Sequence, residues 1–489
     1  MMVVDDFPFW LRFAHFINII FIVLLIRSGI EILSALPKLY WNDHARPGTE
    51  WIKFTKKKFS PDFKKRTWIS LEEEESFSSW IALPGHKNLG IGRHWHFLSI
   101  IFWISNGAAY YILLFTSGEW QRLIPTSWSI LPDAIHDMML YATFQFNLPG
   151  NPYDSIQQLT YFSVVFLLGP FMIATGAAMS PSIDARFPRY PKIFGGRQAA
   201  RSLHFIGMIG FILFIIVHVA MVILSNFSEN MGNIFLGQAT SFGIAVGIFA
   251  LFVLVVVAVN VWATGLSLKN PRFVQRKLGA IIDPIRQTLF NKVVSRQQFS
   301  KSDVTPFFRA NGYPPDTKEY ENLMRNGFSD WRLEVHGLVE KPLELSLVDL
   351  QAIKKEIQIT EHSCIQGWTA IGEWGGVAMN HILSMCNPLS QAKYVIFYSY
   401  QHTEGDQFYE AIPIELAKHP QTILAYEMND EPLDIPHGAP LRLRIETQLG
   451  YKMVKWIKSI ELVDDYKNIG MGQGGHREDH MYYDLGAGI

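Results

Sequence analysis

Cysteine is scarce in this 489-residue sequence: Cys364 and Cys386 are the only two. That excludes a disulfide framework and a four-thiolate zinc or iron-sulfur site, although one thiolate can still ligate a metal carried by a cofactor. Surplus charge is also missing. Lys and Arg number 43 against 44 Asp and Glu, a formal net charge of -1, which removes the electrostatic basis for binding nucleic acid. A cleavable leader is not expected either. Asp5 and Asp6 stand where a leader is basic, and no small-residue cleavage site precedes Arg27 and Glu31, so the first apolar run should remain in the mature protein.

What the first half does have is apolar runs. Phe16 to Leu33, Phe97 to Phe115, Leu159 to Met179, Leu203 to Leu224 and Phe242 to Leu266 are each long enough, at about 1.5 Å per residue, to cross a hydrocarbon layer of roughly 30 Å. Five spanning helices in a lipid bilayer are expected. Imidazole in hydrocarbon needs a partner, so histidines in these runs are functional candidates. His204 and His218, 14 residues apart, fall on one helix face about 21 Å apart, near opposite membrane surfaces. His15 opens the first run and His96 the second, which sorts four imidazoles into two pairs: His96 with His204, and His15 with His218. Bis-imidazole ligation of two b-type haems is the chemistry such pairs serve. His94 competes with His96 for the ligand role; arginine spacing and depth favour His96. Arg12, Arg93 and Arg201 each precede a proposed ligand by one helical turn, where a guanidinium can meet a haem propionate. Gly29, Gly107, Gly176 and Gly207 are places where a flat macrocycle could approach backbone.

Beyond Leu266 the solvent changes. Lys269 to Arg296 is basic, suited to lipid headgroups or to a connecting arm. From Trp331 the pattern alternates with period two, and strands are expected at Trp331 to Gly337, Glu356 to Thr360, Tyr394 to Tyr400, Leu441 to Ile445 and Trp456 to Leu462. Leu347 to Lys355 and Ile414 to His419 read as short helices, so this half is mixed α+β. Cys364, in a polar, aromatic-flanked loop after an expected strand, is placed as a metal ligand or nucleophile. Cys386 sits in an apolar helical run and reads as a buried small hydrophobe. His362, Trp368, Trp374 and His402 are candidate pocket residues.

With these residues in place, two resemblances can be stated. Residues 5 to 265, through Arg-x-x-His at helix starts and the 14-residue histidine pair, resemble the di-haem cytochrome b subunits of membrane-bound formate dehydrogenases and nickel-iron hydrogenases. That implies exchange with the quinone/quinol pool near one haem and with a catalytic partner near the other. Residues 328 to 465, through Leu424 to Leu433, Pro436 to Arg442 and Gly450 to Trp456, resemble the molybdopterin domain of the sulfite oxidase family. By that resemblance Cys364 ligates molybdenum, and His437, Arg442 and Lys455 hold the pterin phosphate and its polar edge. Ile365-Gln-Gly-Trp368 stands where sulfite oxidases carry an Asn-Arg-Arg run, and the Cys364-x-x-x-Trp368 spacing looks more like the methionine sulfoxide reductase catalytic branch. A small oxidised or reduced sulfur compound is the implied substrate, with Cys364, Trp368 and His362 as the catalytic candidates.

The expected organisation is therefore an all-α five-helix transmembrane bundle at 1–268 and a basic linker at 269–327. A sulfite-oxidase-like molybdopterin domain follows at 328–465, and a flexible tail at 466–489, in which His476 and His480 are a weak metal pair. Oxygen-atom transfer fed by two haems is the expected function. An electron-transfer or sensory membrane protein with a non-catalytic C-terminal domain is the alternative. The loop with Arg186, Arg189, Lys192, Arg197 and Arg201 places the molybdenum domain on the cytoplasmic face of an inner-membrane protein by the positive-inside rule. Absence of a twin-arginine leader agrees, and the formate dehydrogenase resemblance implies the other face.

Overall fold

A computed structural model of the chain describes residues 7–57, 69–146, 148, 153–290, 297–484 and 488–489. Five helices have the length and composition to cross a membrane: α1 Phe9–Ala35, α2 Leu89–Thr116, α3 Ser155–Ala178, α4 Arg197–Leu224 and α5 Phe242–Lys269. Three begin about two turns before the apolar run does, because Arg12, Arg93 and Arg201 continue the helix out of the hydrocarbon. Each proposed haem ligand thus lies within a helix. Outward apolar side chains such as Leu213, Ile216, Leu254 and Val261 are exposed, as they are when the solvent is lipid. Inside the bundle Arg27 donates to Asn260 Oδ1 at 2.9 Å and Thr264 Oγ1 at 2.8 Å, which fixes α1 against α5. The third span contains a π-helical stretch, Ser163–Leu168.

The basic segment after α5 forms a sixth helix, α6, Pro271–Phe290. Val274, Leu278 and Ile282, spaced by four, bury one stripe against the cluster that includes Ile91, Trp95 and Leu98 of α2. The arm is thus docked on the bundle as well as suited to headgroups; its end, 291–296, lies outside the described residues.

Among the described residues the soluble half contains ten strands: β1 Arg332–Gly337, β2 Leu343–Ser346, β3 Glu356–Ser363, β4 Thr369–Ala378, β5 Tyr394–Thr403, β6 Asp406–Pro413, β7 Thr422–Met428, β8 Glu431–Pro432, β9 Arg442–Ile445 and β10 Ile457–Val463. They form two sheets, one in the order β8-β7-β4-β3 with β9 also on β7, the other in the order β2-β1-β10-β5-β6. β1 and β10 are parallel and the other pairs antiparallel. Trp331, Leu333, Val335, Phe397, Leu443, Ile460 and Leu462 join one buried cluster, with Cys386 fully buried as a small hydrophobe. The short helices Leu347–Ala352 and Ile414–Ala417 stop earlier than the apolar pattern suggested.

The tail departs from expectation. Its glycines suggested free chain, yet His476–Met481 form a short helix, α7, and Glu478 and Asp479 are buried. Lys452 pairs with Glu410 at 2.7 Å and with Glu478, all three nearly inaccessible, so a buried ion cluster fastens the tail to the domain. The tail is a strap. Arg272 of α6 donates to the carbonyls of Glu478 and Asp479, and a Cβ on Gly90 of α2 would lie 2.3 Å from the Met481 carbonyl.

Candidate functional site

At the bundle end nearest the soluble domain, α1 and α3 offer matching seats. Ser28 Oγ lies 3.0 Å from His96 Nδ1, and Thr175 Oγ1 lies 3.0 Å from His204 Nδ1. Each hydroxyl donates its own proton to a carbonyl one turn back, Leu24 at 2.7 Å and Phe171 at 2.8 Å. Its lone pair therefore accepts Nδ1–H, which leaves the Nε2 lone pair free for a metal. The next residue in each case is glycine: a Cβ on Gly29 or Gly176 would sit 3.6 or 3.4 Å from the imidazole Cε1. Of the four glycines read as macrocycle contacts, these two touch a histidine, Gly207 packs on Phe171 and Met172, and Gly107 faces open space.

At the far end, His15 and His218 face each other with ring centres 6.2 Å apart. Two imidazoles sharing one iron need about 6.2 Å, from bonds of about 2.0 Å plus roughly 1.1 Å from nitrogen to ring centre on each side. The residues therefore fit haem at both ends. His94 does not compete: Nδ1 bonds the Gly90 carbonyl at 2.7 Å and Nε2 bonds Asp484 at 3.0 Å, so both nitrogens are used. Arg12 donates to the Phe235 carbonyl and Arg201 to those of Leu36 and Lys38, while Arg93 lies over Phe97 and near Tyr451 and Tyr483. Thr175→Val is expected to keep the fold, lower occupancy of the near haem by about 10-fold and shift its midpoint potential, because the ring loses its Nδ1 acceptor. Optical redox titration reads both.

In the soluble half one cleft gathers His362, Cys364, Trp368, His437, Arg442 and Lys455. Cys364 directly follows β3 and the chain turns at once, with Gly367 N donating to Cys364 O at 3.0 Å. Burial pushes the thiol up to about 11. Asn311 Nδ2 donates to Sγ at 3.5 Å, while Gln366 Oε1 is approached by Cys364 Sγ, Trp368 Nε1 and Ser70 Oγ. Three donors crowd an oxygen with two lone pairs, a conflict that a metal-bound thiolate relieves.

Deeper in the cleft the charge is of one sign. Burial, then the charge of a neighbouring cation, holds both groups well below their ordinary values: Arg444 acts on the Arg442 guanidinium, and Arg442 on the Lys455 ammonium. Their hydrogen bonds go to neutral carbonyls, Arg442 to His437 at 2.8 Å and Lys455 to Pro436 at 2.7 Å, and Arg442 Nε has no partner. Asp434 and Glu446 act on these cations from nearby, but among the described residues no carboxylate is bonded to either, and a dianionic phosphate would offset their buried charge directly. Gly438, at φ +115°, lets this loop close: a Cβ there would meet Lys455 and Arg442 at 3.0 and 3.1 Å. The residues fit a pterin phosphate.

His362 and Trp368 stack at 5.5 Å between ring centres, with Phe308 against both. Arg444 donates to His362 Nδ1 at 2.9 Å, and burial followed by the Arg444 charge keeps this imidazole neutral, with its proton on Nε2. Two candidates fall away. Trp374 is buried outside the cleft, beneath the guanidiniums of Arg442 and Arg444, and His402 is exposed on the β5–β6 hairpin. The sequence reading missed Phe308, Asn311, Gln366, Arg477 and Tyr483, which line the cleft from the arm, the cysteine loop and the strap.

The two sites are joined by α4. Gln198 Nε2 donates to the Gly367 carbonyl at 2.7 Å, Arg197 reaches Ser363, and Leu36 at the end of α1 packs on Cys364 and Trp368. Gln198 precedes His204 by six residues, about 9 Å along the helix axis. The near imidazole pair is thus built onto the support of the cysteine loop.

Comparison with known proteins is consistent with this division. Residues 6–235 match the family described as prokaryotic cytochrome b561, and residues 321–469 match the oxidoreductase molybdopterin binding domain. Among curated proteins, the chain is 33% identical over 184 residues to one named as a candidate protein-methionine-sulfoxide reductase subunit, YedZ1, of Azospira oryzae, covering 38% of this chain and 64% of that protein. It is 28% identical over 166 residues to the protein-methionine-sulfoxide reductase catalytic subunit MsrP of Campylobacter jejuni, covering 31% and 56%. It is 35% identical over 147 residues to MsrP of Xanthomonas campestris, covering 28% and 46%. Each match thus spans less than two thirds of the relative's length.

Proposed function

Because residues 6–235 and 321–469 make the chain a fusion of a prokaryotic cytochrome b561 membrane domain with a molybdopterin-binding oxidoreductase domain, we propose that it is a membrane-bound molybdenum oxidoreductase acting on a sulfoxide-type substrate, with electrons drawn from the quinol pool through two b-type haems. When bound, molybdopterin supplies two-electron oxygen-atom chemistry and the haems supply one-electron transfer. The observation that carries this reading is the cleft in which a buried cysteine meets buried cations that bond no carboxylate among the described residues, held by the helix that bears His204.

In this reading Cys364 would hold the metal, with Asn311 donating to its sulfur. His437, Arg442 and Lys455 would hold the phosphate and polar edge. Trp368, His362 and Phe308 form an aromatic wall that excludes water and suits a neutral substrate with apolar flanks better than a small dianion. Nε2–H of His362 is a fixed donor for a polar substrate atom. His96 with His204 would hold the near haem and His15 with His218 the far one, with Arg93, Arg12 and Arg201 serving propionates. The soluble domain and strap cover the near end, so quinol exchange is assigned to the far end, beside Tyr161.

We place the molybdenum domain on the cytoplasmic side of the inner membrane. The bundle end that carries it also carries Arg186, Arg189, Lys192 and Arg197, whereas the opposite loops, 117–154 and 225–241, hold only Arg122. Protease digestion of sealed inverted vesicles should cleave the C-terminal half; protection there with cleavage in spheroplasts contradicts this orientation. The activity is tested by anaerobic turnover of methionine sulfoxide with a reduced quinol. Formation of methionine in proportion to quinol oxidised is expected, and no product with both cofactors present sinks the proposal.

A further inference from the structure

We propose that the strap carries a metal site apart from both cofactor sites, in which Glu404, His476 and His480 bind a divalent first-row transition cation of the zinc class, with Asp406 at its edge. The three residues come from two elements: His476 and His480 lie one turn apart on α7, and Glu404 lies in the β5–β6 turn. Each offers a ligand atom, and these atoms lie within 4.8 Å of one another. His480 is held between carboxylates, Nδ1 3.4 Å from Glu404 and Nε2 3.3 Å from Asp406.

His476 supplies the independent observation. It is fully buried, its Nε2 bonds the Thr403 carbonyl at 3.1 Å, and its Nδ1 has no partner. A ring nitrogen anchored on a backbone carbonyl while the other stays free is the arrangement of a metal-bound histidine, and a buried nitrogen without a partner is otherwise costly. Two imidazoles and a carboxylate suit zinc, nickel, cobalt or copper better than magnesium or calcium, which prefer all-oxygen shells.

The consequence is structural. The cation would clip the strap to the β5–β6 turn, and the same strap sends Arg477, Met481 and Tyr483 into the cleft and Asp484 to His94 of α2. His476 also stacks on Phe408, which lines the cleft. Metal at this site would therefore hold the cleft wall in place without touching either cofactor.

The test uses the full-length protein with its haem and molybdenum contents measured, washed with chelator and titrated with zinc chloride and, separately, with cobalt chloride. Expected are one saturable equivalent of zinc, visible cobalt bands of a tetrahedral or five-coordinate site, and a higher unfolding temperature in zinc. His480→Gln and Glu404→Gln, at the more accessible ligands, should each weaken zinc binding by about 10-fold or more and lose the temperature shift. Should zinc bind only near 1 mM, or bind both variants as tightly as the parent, the site does not exist. Because the readouts are metal stoichiometry, spectra and unfolding temperature, the result is independent of whether the protein reduces sulfoxides.

Discussion

Cys364→Ser is expected to abolish turnover while leaving the haem spectrum and the pterin content intact. The thiol is buried and shifted up to about 11, so it becomes a thiolate only when a metal displaces its proton. Serine keeps the size but offers a harder, far less acidic donor, which suits a soft-ligand metal poorly. The loss should exceed the ~10²–10³ typical of deleting one catalytic hydrogen-bond donor. The pterin should remain because its binding is assigned to Arg442, Lys455 and His437, none of which touches the sulfur. Steady-state rates with pterin fluorescence after acid release check both halves. A serine variant with parental turnover removes Cys364 from the reaction.

The second large effect concerns haem stoichiometry. His96→Ala and His204→Ala should each remove the same haem, and His15→Ala and His218→Ala the other, taking the content from two per chain to one. The 6.2 Å separation of the far rings and the matched Ser28 and Thr175 seats of the near ones motivate these pairings. Pyridine haemochrome content and redox titration distinguish the haems, since each pair should leave the same single midpoint potential. His94→Ala should retain both haems, because its nitrogens serve Gly90 and Asp484. Loss of a haem in the His94 variant with retention in the His96 variant would reverse the assignment.

These two sites differ in how far residue order alone reveals them. The histidine pairs were readable because helical geometry converts a 14-residue spacing into a shared face, and antiparallel spans convert helix starts into ends of the bundle. Arginine spacing and depth favoured His96 over His94, but what occupies the His94 ring was not readable, since Asp484 lies 390 residues away. Cys364 and the cations were readable from local motifs. Asn311, Gln198 and Arg477 were not, because their roles exist only once arm, helix and strap meet around the cysteine loop. Trp374 shows the same limit: it lies in the expected segment, yet the alternation of β4 turns it beneath Arg442 and Arg444. The tail misled because its glycines read as free chain, whereas Lys452, Glu410 and Glu478 bury it.

One experiment bears on the whole electron path from haem to Cys364. Purified protein is reduced under anaerobic conditions, excess reductant is removed, and the reduced-haem band is followed by stopped-flow as methionine sulfoxide is added. The account predicts reoxidation of both haems, with one methionine formed for each two electrons lost, and no reoxidation in Cys364→Ser. Haems that stay reduced in the parent protein with molybdenum present, or that reoxidise equally in the serine variant, would contradict it.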